Sequence, residues 1–132
     1  LRPTGYGETE ARAFLAALGD EGRAFYRDVQ HRLDLAYPAL MAVTLILCFR
    51  RLVGHPVLRG ALIAVALAAM VADYAENILV GRMLGFPGDT APVALIGQAS
   101  LATVVKSVAG GVAMTALVVA LIAAGVRRFS RR

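Results

Sequence analysis

Three long apolar blocks constrain this chain more than any other feature. They cover residues 33–51, 61–84 and 104–126, and each is close to the roughly 20 residues with which an α-helix crosses a bilayer core. Strands of a β-barrel would alternate over shorter stretches. With 58% hydrophobic and 17% charged residues, the chain is also too apolar for a small soluble domain. The sequence therefore predicts a single membrane domain, an all-α integral membrane helical bundle with three transmembrane helices.

Residues 1–31 are predicted to form an amphipathic helical segment outside the membrane. Apolar residues recur there at helical spacing, at Ala11, Phe14, Leu15 and Leu18. Gly19 can end this helix, and Asp20 can begin a second one that leads into the first spanning block. Two alternatives follow: the segment is a lid on the membrane surface or on the bundle, or it docks a partner protein.

The distribution of arginine predicts the orientation of the helices. The connection over residues 50–60 holds three arginines and no acid, and the C-terminal tail holds four arginines and no acid. Residues 1–32 carry mixed charges, and the loop over residues 85–92 carries only Asp89. By the positive-inside rule we expect a bacterial inner membrane protein with its N-terminus outside and its C-terminus in the cytoplasm. This placement also explains the net charge of +5 without a nucleic-acid partner.

Several short motifs resemble a group of small, uncharacterised bacterial polytopic membrane proteins. They are Gly5-Tyr6, residues 11–18, residues 18–23 with Tyr26, Asp34, Pro38, and the run Asp73-Tyr74-Ala75-Glu76-Asn77. The resemblance implies a further transmembrane helix upstream of the matching region and implies no activity. An exported N-terminal segment that starts at Leu1 also leads us to expect either a signal peptide or such a helix ahead of it, and the second option gives a four-helix bundle.

Ionisable residues inside the second block require an explanation, because charged groups in a bilayer are costly and are usually paired or functional. Asp73, Glu76 and Asn77 stand at i, i+3 and i+4, so they share one helix face that must turn into the bundle. At a rise of roughly 1.5 Å per residue, residues of the other two helices reach the same layer near the outer leaflet. The predicted polar cluster, a candidate ligand or proton site, consists of Asp34, Tyr37, Asp73, Glu76, Asn77 and Lys106.

Two readings of this cluster are open. One carboxylate is expected to pair with Lys106, and the other to hold a proton or to pair with His31 or Arg32. Such a site would be functional. Alternatively, the cluster is a structural latch that only fixes helix register, and Lys106 could simply extend to the lipid headgroups. A cavity that reaches Asp73 and Glu76 would favour function, whereas a sealed cluster would favour the latch.

The remaining candidate residues suggest structural roles. Gly110, Gly111 and Ala113 form a small-residue face that predicts close helix packing, within the chain or in a homo-oligomer. Cys48 is the only cysteine, and His31 and His55 have no ligand spacing, so we expect no disulfide, metal or cofactor. The sequence contains no glycine-rich phosphate loop, nucleophile elbow or zinc motif.

Three functions are compatible with these features, and catalytic residues are not identifiable. The first is an accessory or scaffolding membrane protein that binds a partner protein or lipid. The second is a small proton-coupled transporter in which Asp73 and Glu76 exchange protons. The third is an intramembrane enzyme acting on a lipid or isoprenoid substrate, with one of these carboxyl groups as general acid and Lys106 binding a headgroup. The sequence does not decide between an enzyme and a non-enzyme.

Overall fold

The computed structural model describes residues 2–19, 22, 25, 31–86 and 90–130, with residues 31–33 described only by their backbone. Four helices follow one another: α1 (Glu8–Ala17), α2 (His31–Leu52), α3 (Pro56–Leu84) and α4 (Val93–Phe129). Strands do not occur in this described part of the chain, and the predicted all-α bundle is confirmed. Most of the helix expected after Asp20 lies outside the described residues, as do Asp89 and the side chains of His31 and Arg32.

Three of these helices are long and apolar enough to span a membrane. The segments are Asp34–Leu52, Pro56–Leu84 and Val93–Phe129, with mean hydropathies of 1.5, 1.8 and 2.2. Only 22%, 11% and 6% of their most apolar stretches are buried inside the bundle. Such large outward-facing apolar surfaces are rare on soluble proteins and require lipid around them. The predicted membrane class is therefore supported by both length and surface.

The helices α3 and α4 begin several residues before their apolar blocks. α3 starts at Pro56, where proline suits the first helical position because its missing N–H would have no partner there. His55 caps this end, and its Nδ1 accepts a hydrogen bond from the Leu58 N–H at 3.4 Å. α4 starts at Val93, directly after Pro92. Counting apolar residues predicted the hydrophobic spans at 61–84 and 104–126, whereas proline sets where the helices begin.

Alanine and larger apolar residues pack α3 and α4 against the C-terminal half of α2. Phe49 and Leu45 of α2 are buried against Ala66 of α3 and Ala113 of α4. Because Ala66 and Ala113 carry only a methyl group, α3 and α4 can approach closely at this point. Ala113 therefore lies in the contact between these helices.

Gly110 and Gly111 do not lie in such a contact within the chain. A Cβ atom added at either position would meet no atom within 4 Å, so neither glycine permits a close helix contact within the chain. Gly110 borders one cavity and Gly111 borders two. Spacing along the helix identified these small residues, but Gly110 and Gly111 lie beside open space and not against another helix of the chain.

α1 packs across the end of the bundle where α3 ends and α4 begins. Ala11 and Leu15 are fully buried, and they belong to one core cluster with Val80 and Met83 of α3 and Ile96 of α4. The amphipathic pattern of this helix is thus explained by contact with the bundle. Of the two alternatives, the described contacts match a lid on the bundle.

The N-terminal segment, defined here as residues 2–17, approaches α4 at very short range. Gly5 has a φ of +93°, a backbone conformation that favours glycine, and a Cβ there would lie 3.0 Å from Val104 Cγ2 and 3.1 Å from Ser100 Oγ. The next residue, Tyr6, donates its backbone N–H to Ser100 Oγ at 2.9 Å. Gly5 is therefore required for the segment to lie against α4.

Replacing Gly5 by serine should release the N-terminal segment, because both the backbone conformation and the contact with α4 become unfavourable by about 1–3 kcal/mol. Hydrogen exchange of the Glu8–Ala17 amides would then be faster than in the parent protein. Gly7→Ser is the matched control, since Gly7 has open space around it and serine is a good N-cap residue. Equal protection of α1 in the two variants would contradict this account.

Candidate functional site

An ion network joins α3 and α4 within the spanning helices. Lys106 Nζ lies 2.9 Å from Asp73 Oδ1 and 2.6 Å from Glu76 Oε2, and the two carboxylate side chains are only 14% and 11% exposed. Asp73 and Glu76 share a face of α3 because they are three residues apart. An ammonium group has three donors and can serve two carboxylates. The expected convergence occurs, but Lys106 contacts both acids instead of pairing with one.

Asn77 and Asp34 extend this network to α2, because Pro38 leaves one backbone carbonyl of α2 without its usual hydrogen bond. Because Pro38 has no N–H, the Asp34 carbonyl loses its usual hydrogen bond within the helix. Asn77 Nδ2 lies 3.4 Å from this carbonyl and 3.4 Å from Asp73 Oδ1. One turn earlier on α3, the Tyr74 hydroxyl donates to the Leu35 carbonyl at 2.7 Å. Asp34 thus joins the cluster by its backbone, and the proline-containing helix is tied to α3.

Tyr37 lies near the cluster but does not join its hydrogen bonds. Its side chain is 58% exposed, and its hydroxyl points to Met41 Sδ at 3.7 Å. It lines the same cavity as Asp73 and Lys106. Depth along the helix correctly placed this residue in the polar layer, whereas its direction around the helix carries the hydroxyl away from the charges.

The sequence reasoning missed one polar residue of α4 that contacts Glu76. Thr103 is buried, and its Oγ1 hydrogen-bonds with Glu76 Oε1 and lies 3.0 Å from the Ala99 carbonyl oxygen. A signal for it existed, because Thr103 and Lys106 are three residues apart and therefore share one face of the helix.

Tyr6 is the second residue that the sequence did not reveal. It is 8% exposed, and its buried hydroxyl has no hydrogen-bond partner among the described residues. Burial raises the pKa of this hydroxyl above its ordinary value of 10.0; the neighbouring Thr103 side chain opposes the shift, and the Glu76 carboxylate adds to it. The hydroxyl therefore stays protonated at neutral pH. Spacing cannot predict this contact, because Tyr6 reaches the cluster only through the path of the N-terminal segment.

A cavity of about 260 Å³ opens between α2, α3 and α4 and reaches the ion network. Asp73 and Lys106 supply polar groups in its otherwise mostly apolar wall, which is formed in part by Pro38, Met41, Leu45, Met70, Gly110 and Met114. Its volume lies just below the range typical of small-molecule sites. The polar cluster is therefore not sealed.

A second and larger cavity, of about 820 Å³, lies along α4 toward its C-terminal end. It includes His55 and Arg127 and shares Ser107 and Gly111 with the first cavity. No group of three His, Cys, Asp or Glu side chains that could hold a metal is found in the described part of the chain.

Fold and site together define a small α-helical membrane protein with a charged network between two of its spanning helices. Comparison with protein-family models, with curated proteins and with solved structures finds no match to this chain. The resemblance to small bacterial membrane proteins therefore stays a prediction, and function must be inferred from the site itself.

Replacing Lys106 by methionine should lower the free energy of unfolding in detergent by about 3 kcal/mol, because a buried acid then loses its cation. The double variant Asp73→Asn/Lys106→Met removes one acid as well and should recover much of this loss. Thermal unfolding of both purified variants measures the difference. If Lys106 merely extended to lipid headgroups, Lys106→Met alone would be nearly as stable as the parent protein.

Proposed function

We propose that this protein is a small accessory membrane protein that binds a lipid-class, amphipathic molecule between α2, α3 and α4. The observation that carries this proposal is the 260 Å³ cavity, which joins a mostly apolar wall to the polar groups of Asp73 and Lys106. An apolar site with a few polar groups to orient the ligand is typical of small-molecule binding sites. A ligand of this shape would place its polar head at the ion network and its chain along α4.

The contacts of α1 favour a ligand-binding role over docking of a partner protein. A partner-docking helix needs a free apolar face, but Ala11 and Leu15 are already fully buried against the bundle. Tyr6 in the same segment lies beside Thr103 and Glu76. The N-terminal segment therefore acts in this proposal as a cover for the polar cluster.

The charges at the opposite end of the bundle support an orientation with the polar cluster in the outer half of the membrane. Arg127 Nη2 lies 3.4 Å from the Leu52 carbonyl, so the ends of α2 and α4 are neighbours. Arginines gather at this end, at positions 50, 51, 59, 127 and 128, and no acid accompanies them among the described residues. The positive-inside rule assigns such an end to the cytoplasm, and we propose the inner membrane of a bacterium as the location.

Binding of 1-octanol to the protein in phosphatidylcholine nanodiscs tests this function. We expect saturable binding above that of protein-free discs, measured by calorimetry. Gly110→Val should weaken it by about tenfold or more, because the added side chain enters the cavity from a position where a Cβ meets no atom within 4 Å.

Gly125→Val is the matched control for this experiment. Gly125 lies on the same helix, also has open space around it, and borders neither cavity. It should leave octanol binding unchanged. Binding that does not saturate, or that is equal in the two valine variants, would rule out the cavity as the site.

A small proton-coupled carrier is the second candidate, because the two cavities share Ser107 and Gly111 and together follow much of α4. In liposomes with an imposed pH gradient, this candidate predicts proton flux that is lost in Asp73→Asn and in Glu76→Gln while both variants stay folded. A binding protein would show no flux above that of empty liposomes, and a fluorescent pH indicator inside the vesicles separates these outcomes.

A further inference from the structure

The cavity of about 820 Å³ has a wall whose character changes along α4. Between Ser107 and Arg127 the α4 side of this wall consists of valine, alanine and glycine residues, apart from Thr115. At a rise of roughly 1.5 Å per residue, Arg127 lies about 30 Å along the helix from Ser107. This distance is close to the thickness of a bilayer core, about 30 Å. When α4 spans the bilayer, the apolar wall therefore lies at the depth of acyl chains and Arg127 at the depth of headgroups.

Arg127 is positioned at the rim of this cavity by the end of α2. Its Nη2 lies 3.4 Å from the carbonyl oxygen of Leu52, the last residue of α2, and such a carbonyl has no partner within its own helix. Among the described residues this is the one contact of the guanidinium. An arginine carries several N–H donors, so most of them remain available. Arginine binds a phosphate through two parallel hydrogen bonds, which makes it well suited to that group.

His55 adds a second polar group to the same rim. Its Nδ1 accepts a hydrogen bond from the Leu58 N–H, which orients the ring at the start of α3. The other ring nitrogen, Nε2, has no hydrogen-bond partner in the part of the chain that the structure describes. Because His55 also lines the cavity, the rim combines a cation from α4 with a polar ring from the connection between α2 and α3.

The charges at this end of the bundle have one sign. Arg50 and Arg51 lie in the last turn of α2, Arg59 near the start of α3, and Arg128 beside Arg127. The described acids lie elsewhere, in α1, at the start of α2 and in the second half of α3. An anionic headgroup would therefore meet only cations here. The ammonium of a zwitterionic lipid would find no acidic partner among the described residues.

From these features we propose that the 820 Å³ cavity is a binding site for an anionic phospholipid. The phosphate contacts Arg127, and an acyl chain lies against the apolar wall of α4. This site goes beyond the proposed function and does not depend on it. The two cavities share Ser107 and Gly111, but Arg127 and His55 line the larger one and not the smaller.

Two lipids with the same acyl chains test the headgroup preference: dioleoylphosphatidylglycerol, which is anionic, and dioleoylphosphatidylcholine, which is zwitterionic. Each is titrated into the purified protein in dodecyl maltoside micelles, and native mass spectrometry measures the fraction of protein with one bound lipid. We expect phosphatidylglycerol to bind about tenfold or more tightly, because only its headgroup lacks a cation that the arginines would repel. Equal affinities, or tighter binding of phosphatidylcholine, overturn the inference without the use of any variant.

Two arginine variants distinguish a built site from a diffuse cationic surface. Arg127→Gln should weaken phosphatidylglycerol binding by about tenfold, because the phosphate loses its charged partner in the cavity. Arg128→Gln is the matched control: it removes the same charge from the next position of the helix, which does not line the cavity. It should retain most of the parent affinity. Equal weakening in the two variants indicates a surface effect only and overturns the site.

The apolar wall is tested separately from the charge. Ala120→Leu should weaken phosphatidylglycerol binding by about tenfold, because the larger side chain takes the place of the acyl chain. Ala124→Leu, one turn further along and at neither cavity, should leave it unchanged. Glycerol 3-phosphate carries the anionic group without acyl chains and should bind the parent protein at least about tenfold more weakly than the lipid. Equal binding of the two ligands, or equal effects of the two leucine variants, shows that the cavity does not hold the chain and overturns the inference.

Discussion

The structure depends on the requirement that ionisable groups in spanning helices find partners in the protein, because lipid cannot solvate them. Apolar surfaces alone would leave the rotation of these helices undetermined, since hydrocarbon solvates leucine as well as another helix does. Asp73 and Glu76 on one face of α3 remove this freedom, because both must face Lys106 of α4. This ion network thus fixes which side of α3 and which side of α4 is internal, and the apolar contacts near Ala66 and Ala113 are compatible with that choice.

Pro38 imposes a second requirement of the same kind on α2. A carbonyl freed by proline has no water to bind within a bilayer, so a neighbouring helix must supply a donor. Asn77 supplies one to Asp34, and Tyr74 donates to the adjacent carbonyl of Leu35. Backbone carbonyls of α2 are therefore hydrogen-bonded to side chains of α3. The polar residues of α3 serve both neighbours, with the carboxylates directed to α4 and the amide and phenol to α2.

The sequence predicted the parts of this arrangement that depend on position along a helix. Hydropathy located three spans, and helical rise placed Asp73, Glu76 and Lys106 in one layer. The sequence could not predict in which direction a side chain points around the helix axis. For this reason the hydroxyl of Tyr37 was expected in a cluster that it does not enter. The sequence also could not predict contacts made through an irregular segment, such as the contact of Tyr6 with the polar cluster. Spacing recognised Gly110 and Gly111 but could not distinguish a packed glycine from one beside a cavity.

A structural latch and a binding site differ in how closely side chains fill the space around the polar cluster. A cluster that served stability alone would be surrounded by side chains, because a cavity lowers stability and an unused carboxylate oxygen is a lost interaction. Here Gly110 lies where a Cβ would fit without contact, although glycine in a helix costs about 1 kcal/mol relative to alanine. Space, an Asp73 oxygen (Oδ2) that makes no contact within the described residues, and a helix-weakening residue coincide at one place. Each feature reduces stability, so their coincidence favours a site that binds a ligand.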